Sequence, residues 1–273
     1  MNIICFGAHP DDCEIFAGGS AVLWARRGDR VLFVSLTNGD IGHYEVAGGP
    51  LAGIRRHESA KSAEIAGVSY MILDNHDGEL LPTLELRKQV IRLIRNWRAD
   101  VVLTHRPWDY HPDHRNTSLV VQDAAYMVTV PHICPDTQRL ETNPVFLYMM
   151  DFFKRPLSFQ ADLAVAVDEV MEAKYSMLDA MESQVYEWLP WIDGRLAQVP
   201  GDPKARISWL KKNWDPFFLQ PAQTWKGALS EFYSKDQVQH IRYAEMFEVC
   251  EYGSHPDKDT LLEIHPHSER EQG

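Results

Sequence analysis

Asn2-Ile3-Ile4-Cys5-Phe6-Gly7 runs directly into Ala8-His9-Pro10-Asp11-Asp12 and then Ala17-Gly18-Gly19-Ser20, and this stretch decides the fold. A short apolar run of strand length, a polar turn and a helical pattern together make one strand-to-helix unit. The unit recurs. Further strands are predicted near Val31 to Leu36, Tyr70 to Leu73 and Val101 to His105, and helices near Ser20 to Arg27, Ile54 to Ala66, Leu84 to Asn96 and Thr117 to Val128. Two later strand-like runs, Val145 to Phe152 and Ala161 to Val167, and a helix from about Glu169 to Gln184 extend the series. This alternation predicts an α/β fold: a Rossmann-like, mostly parallel sheet with helices on both faces.

The 273 residues, 45% of them hydrophobic and 24% charged, suffice for one α/β domain with insertions, so 1–273 is read as a single domain. Between about 186 and 227 stand five of the eight tryptophans, Trp188, Trp191, Trp209, Trp214 and Trp225, mixed with proline and glycine. That segment reads as an insertion or cap, its indoles filling a satellite core or lining the mouth of a site. The polar stretch 257–273 reads as a frayed tail. A net charge of −12 argues against a general affinity for nucleic acid or anionic membrane and suits a small neutral or cationic ligand. Cys5, Cys13, Cys134 and Cys250 form no C-x-x-C pair and read as reduced thiols. With no basic leader and no long apolar stretch, the expected location is the cytoplasm.

Two short motifs carry the chemistry. His9-Pro10-Asp11-Asp12 follows the first strand, and His111-Pro112-Asp113-His114 follows the fourth. Ligands of open α/β sheets bind beyond the carboxyl ends of the strands, where strand order reverses, and the first and fourth strands flank that point in the commonest topology. The motifs therefore face each other. Two imidazoles and a carboxylate can hold a catalytic metal with one position left for water, which assigns His9, Asp12 and His114 as ligands. Asp11 is left free as general base. His111 is placed to stabilise an oxyanion or protonate the leaving amine, with Asp113 holding its ring. A third copy, His255-Pro256-Asp257, follows no strand-like run and reads as a solvated turn.

These residues resemble the PIG-L/LmbE-like de-N-acetylases over roughly the first 185 positions. His9-Pro10-Asp11-Asp12, with Glu14 close behind, and His111-Pro112-Asp113-His114 stand where that family has its metal and catalytic motifs. Thr37-Asn38-Gly39-Asp40 and Arg55-x-x-Glu58 match it less specifically. The resemblance implies substrate contacts at Arg55 and Asp77, a Zn2+ cofactor or another divalent ion such as Fe2+, and removal of an N-acetyl group from an amino-sugar substrate, such as an N-acetylglucosamine conjugate, as acetate. Relatives are often oligomers, so a homo-oligomer is compatible with it. Met181 stands before Glu182-Ser183-Gln184 where many members have histidine, and the Trp-rich segment matches no family feature.

Two rival functions keep the same residues. One is a metal-dependent amidase acting on a non-sugar or cysteine-conjugate amide. The other is a non-catalytic sugar or nucleotide binding module, although Ala17-Gly18-Gly19-Ser20 is neither a dinucleotide fingerprint nor a P-loop. His43, Tyr44, His76, His105 and Tyr110 are further candidates to line the pocket, and Cys13 reads as a bystander.

Overall fold

The computed structural model describes residues 1–267. β1 (Asn2–Gly7) is flanked in parallel by β2 (Arg30–Ser35) and β4 (Val101–Thr104). β3 (Ser69–Ile72) pairs with β2, and β5 (Val145–Met149) with β4. Alternation along each strand sends side chains to opposite faces. Ile3, Cys5, Val31, Phe33, Val101 and Leu103 enter one core, and Ile4, Phe6, Leu32, Val34 and Val102 enter the other. α1 (Asp12–Arg26), α2 (Gly49–Ala66) and α5 (Met171–Asp179) cover the first face, and α3 (Leu84–Trp97) and α4 (Pro112–Met127) the second. The predicted α/β architecture is the observed one.

The strand order is β3-β2-β1-β4-β5-β7-β6, with β6 at Leu163–Ala166 and β7 at Ala244–Cys250. The order reverses between β1 and β4, as expected. β7 was not predicted; it slots antiparallel between β5 and β6. Its sequence, Ala244-Glu245-Met246-Phe247-Glu248-Val249-Cys250, carries two glutamates, and Glu245 is nonetheless buried because Lys174 Nζ lies 2.5 Å from its Oε1. A buried carboxylate erased the apolar signal.

Helices begin earlier than the sequence reading placed them: α1 at Asp12, α2 at Gly49 and α4 at Pro112. Proline and aspartate are poor helix formers in the interior but favoured in the first turn, where N–H groups lack partners and the helix dipole attracts negative charge. Asp12 and His114 therefore project from helix starts, not from loops. Gly7 permits this close entry, since a Cβ there would lie 2.8 Å from Asp12 Cβ.

The Trp-rich segment is helical. A π-helical turn (Ser183–Trp188) leads into α6 (Leu189–Ile192), then α7 (Pro203–Thr224), with α8 (Lys226–Leu229) and α9 (Lys235–His240) following. Trp209 and Trp214 pack on the first core, and Trp225 stacks on Phe152 at 5.3 Å. The expectation of a frayed tail from Asp257 is corrected as far as His267: Asp257 accepts from Thr260 N to cap α10 (Lys258–Ile264), Trp24 Nε1 donates to Ile264 O, and His265 is buried. Positions 268–273 of that expectation lie outside the described residues. Against expectation the third His-Pro-Asp copy does follow a strand, β7, and its Asp257 caps α10, but His255 is exposed. All four cysteines are buried and unpaired. Among the described residues, no helix is long and apolar enough to cross a membrane.

Candidate active site

The exit of β1 is pinned before it reaches His9. Thr37 N and Oγ1 and Ser35 Oγ all donate to Ala8 O, at 2.8, 2.7 and 3.2 Å. Asp12, at the start of α1, turns back on the same loop: its Oδ2 accepts from Ala8 N at 2.8 Å and His9 N at 2.7 Å, and His105 Nε2 lies 3.1 Å away. With Oδ2 so engaged, Oδ1 is left facing His114 Nε2 at 3.4 Å.

His9 Nδ1 lies 3.2 Å from His114 Nε2 and 3.5 Å from Asp12 Oδ2. Donor atoms bound at 2.0–2.2 Å to the corners of a tetrahedron are about 3.3–3.6 Å apart. The spacings are of that size, although they reach Asp12 through different oxygens, Oδ2 from His9 and Oδ1 from His114, so the two imidazoles and this carboxylate surround a place for one small cation. His9, His111 and His114, and Asp12, His105 and His114, also present donor atoms close enough together for one ion. Burial alone would raise the Asp12 pKa, but the charges of His114 and His105 and hydrogen bonds from His105 and His9 outweigh it and hold Asp12 well below the usual range. Burial would lower that of His9, yet hydrogen bonds to Asp113, Asp12 and Asp77 raise it well above the ordinary histidine value.

Around His9, Asp12 and His114 the remaining candidates divide. Asp11 is buried, lines the cavity and accepts from Gln184 Nε2 at 2.7 Å. Burial, then the Asp12 charge, pushes its pKa up to about 7. Its φ of 148° is strained for a residue with a Cβ. His111 caps α4, its Nδ1 accepting from Asp113 N at 3.2 Å. An imidazole nitrogen that accepts carries no proton, so the neutral ring presents Nε2–H as a donor. Burial, and then His9 and His114, lower its pKa.

Asp113 does not hold the His111 ring. Its carboxylate accepts from Gly78 N at 2.6 Å and Leu80 N at 3.2 Å, and Oδ2 lies 3.3 Å from His9 Nε2. The reason is local: the Asp113 backbone already occupies His111 Nδ1, and the side chain turns to the two free amides. Asp77 Oδ1 shares the same His9 nitrogen at 3.2 Å while lining the cavity. Arg55, fully buried at 1% exposure, donates through Nη2 to Gly42 O, whereas its Nε and Nη1 have no protein acceptor. It makes no ion pair with Glu58, which accepts from Ser183 N and Oγ instead.

Three neighbours were missed or undervalued in the sequence. His105 stacks on His114, ring centroids 4.1 Å apart, and Asp109 Oδ2 lies 3.2 Å from His114 Nδ1, too oblique for a well-formed hydrogen bond. Gln184 comes from a distant π-helical turn. Position relative to the motifs was the only available signal for the first two. Glu14 lies outside the site, buried against Ser62 and Tyr70, and burial pushes its pKa up to about 8. Cys13 points into the core, donating to Cys5 O. His43 pairs with Glu187 and stacks on Tyr44, His76 pairs with Asp40, and Tyr110 reaches the cavity rim.

The site opens into a cavity of about 780 Å³ that also takes in Trp188 and Trp214 of the Trp-rich segment. Residues 4–125 match the PIG-L family, described as GlcNAc-PI de-N-acetylase. A diacetylchitobiose deacetylase of Thermococcus kodakarensis is 32% identical over 198 residues, 70% of this chain and 73% of that protein. A 1D-myo-inositol 2-acetamido-2-deoxy-alpha-D-glucopyranoside deacetylase of Corynebacterium diphtheriae is 27% identical over 249 residues, 76% of this chain and 82% of that protein. Among solved structures, the N,N'-diacetylchitobiose deacetylase of Pyrococcus horikoshii superposes with a TM-score of 0.70 at 23% identity, covering 92% of this chain and 84% of that one. GalB, a 4-carboxy-2-hydroxymuconate hydratase of Pseudomonas putida, reaches 0.69 at 19%, covering 91% and 96%, so the fold alone does not choose the reaction. With both motifs in the matched span and a relative of this similarity, the chain belongs to the PIG-L family.

Proposed function

We propose that this protein is a metal-dependent hydrolase that removes the N-acetyl group of an amino-sugar substrate, with 1–273 acting as one deacetylase domain. The observation that carries the reading is the approach of His9 Nδ1 to His114 Nε2 at 3.2 Å, with the two Asp12 oxygens 3.4 to 3.5 Å from one or the other imidazole and the buried Asp11 beside them. The deacetylase names of its relatives supply the bond and the sugar. Zinc is the first choice for two imidazoles and a carboxylate, and Fe2+ is the alternative. When bound by His9, Asp12 and His114, the ion supplies a Lewis acid and an acidified water.

The chain's own residues do the rest. Asp11, oriented by Gln184, takes the proton of the attacking water as the new C–O bond forms. His111 offers its Nε2–H to the oxyanion. Collapse breaks the C–N bond, the proton passes from Asp11 to the leaving amine, and acetate and a free amino sugar result. Arg55, with two unpartnered nitrogens, and Asp77 take sugar hydroxyls.

The test is acetate release from N-acetylglucosamine and diacetylchitobiose by metal-free, zinc-loaded and iron-loaded protein. Turnover restored by about one equivalent of ion, and lowered about 10²- to 10⁴-fold by Asp11→Asn, is expected. Sugar binding without acetate release under every metal condition would overturn the reading in favour of a binding module.

A further inference from the structure

The cavity has two unlike ends. On the side of His9 Nε2 stand Asp77, Arg55 and the Gly42 backbone, with the Trp188 indole nitrogen beside Gly42, where sugar hydroxyls find partners and a ring to stack on. On the His114 side the wall is aromatic. Phe16 lies one helical turn beyond Asp12, its ring 6.0 Å from that of His105, which stacks on His114. Phe217 meets Phe16 at 6.2 Å and Phe152 at 5.9 Å, and Trp214 meets Phe217 at 6.1 Å. All four rings line the cavity and keep partial exposure to it. Asp151, on the same side, is engaged by Arg106 at 3.1 Å.

An acetyl group presents a single methyl, and four rings are far more apolar wall than one methyl needs. At roughly 30 Å³ per water, the cavity of about 780 Å³ is also larger than an acetylated hexosamine requires. A secondary amide is trans, the cis form costing about 2.5 kcal/mol, so the acyl chain and the sugar leave the scissile bond in opposite directions. With the sugar at the Arg55 end, the acyl group points at Phe16 and Phe217.

Resting on the deacetylase reading, we propose that Phe16, Phe152, Trp214 and Phe217 form an acyl subsite that accepts N-acyl chains longer than acetyl, acetyl filling only its inner end. Hydrolysis is the same for each chain: water adds across the amide, the C–N bond breaks, and a fatty acid leaves in place of acetate.

The experiment compares kcat/KM of the zinc-loaded protein for N-acetyl-, N-butanoyl-, N-hexanoyl- and N-octanoylglucosamine, alongside octyl glycosides of N-acetylglucosamine. A gain of about fourfold per buried methylene over the first few carbons is expected. Phe217→Ser should collapse the ratio of octanoyl to acetyl turnover, a ratio read within each variant and so insensitive to its folded fraction. As a second measurement, octanoate should inhibit acetyl hydrolysis more strongly than butanoate, and Phe217→Ser should erase the difference. Acetyl hydrolysed with longer chains refused overturns the subsite and spares the deacetylase reading. So does a gain confined to the octyl glycosides, which would mark an aglycone site. No acid released from any substrate overturns both.

Discussion

Asp113 Oδ2 lies 3.3 Å from His9 Nε2, so the carboxylate of the second motif orients the imidazole of the first. The same carboxylate accepts from Gly78 N and Leu80 N, which ties the loop after β3 to the site. An imidazole offering one nitrogen to a cation usually donates its other N–H to such a partner, and losing that partner typically costs about 10- to 100-fold in metal affinity. Asp113→Asn is therefore expected to weaken zinc retention by that factor in a competition titration with a chelating dye. Activity should recover at saturating zinc. Unchanged affinity would mean that Asp77, which shares the His9 nitrogen, suffices alone.

Asp11 combines a φ of 148° with a buried carboxylate whose pKa burial and Asp12 push up to about 7. Such backbone strain costs about 1–3 kcal/mol and persists at positions where function requires it. Glycine, with no Cβ, holds a positive φ with less strain, though it adds about 0.4–1 kcal/mol of unfolded-state entropy. Asp11→Gly should stabilise the metal-free protein by about 1 kcal/mol in urea denaturation while abolishing turnover. Asp11→Asn, which keeps a Cβ, should lose turnover without the full gain in stability. A glycine variant less stable than the parent would show that the carboxylate bond to Gln184 outweighs the strain.

How much of this could be read from the chain depended on whether the information was local. Asn2–Gly7 and Val101–Thr104 are unbroken apolar runs, and each His-Pro-Asp motif follows one closely, so the opposition of the two motifs across the β1/β4 switch was legible. The direction of Asp113 was not, because the amides of Gly78 and Leu80 reach it only in three dimensions. Gln184 lies 173 residues from Asp11 and carries no sequence mark of that contact. His105 was legible only as a histidine ending a strand, and its stack on His114 arises from α4 folding back over β4. β7 failed for a different reason: its buried Glu245 counts as polar until Lys174 is known to face it.

That pair enters the hydrogen-bond ladder of α1. Glu245 accepts from Gly19 N at 2.8 Å and Ser20 N at 2.7 Å, while Lys174 Nζ donates to Ile15 O at 2.7 Å. Both charges are buried, and removing one partner of a buried pair typically costs about 3–5 kcal/mol. Lys174→Met and Glu245→Gln should each destabilise by about that much in urea unfolding. The double variant should fall short of the sum by about 1–3 kcal/mol, the coupling expected of residues in direct contact. Strict additivity would show that each side chain acts through α1 independently.

His265 supplies the expected acid sensitivity of the carboxyl-terminal docking. Its ring stacks on Phe232 with centroids 5.0 Å apart, and Nε2 lies 3.2 Å from Ala164 O on β6. Burial first, and then the charges of His267 and Arg27, push its pKa down to about 4, although the hydrogen bond to Ala164 works the other way. The unfolded chain takes up its proton near pH 6.5. Between these values the unfolded state binds the extra proton, so stability rises with pH across the window. The contribution is therefore complete above about pH 6.5 and is lost as pH falls toward about 4, with a slope of at most about 1.4 kcal/mol per pH unit. His265→Gln should be less stable at pH 7.5 and should show a shallower loss between pH 6.5 and 4 when melting temperatures are followed through a pH series. An unaltered slope in that variant would place the acid sensitivity elsewhere in the chain.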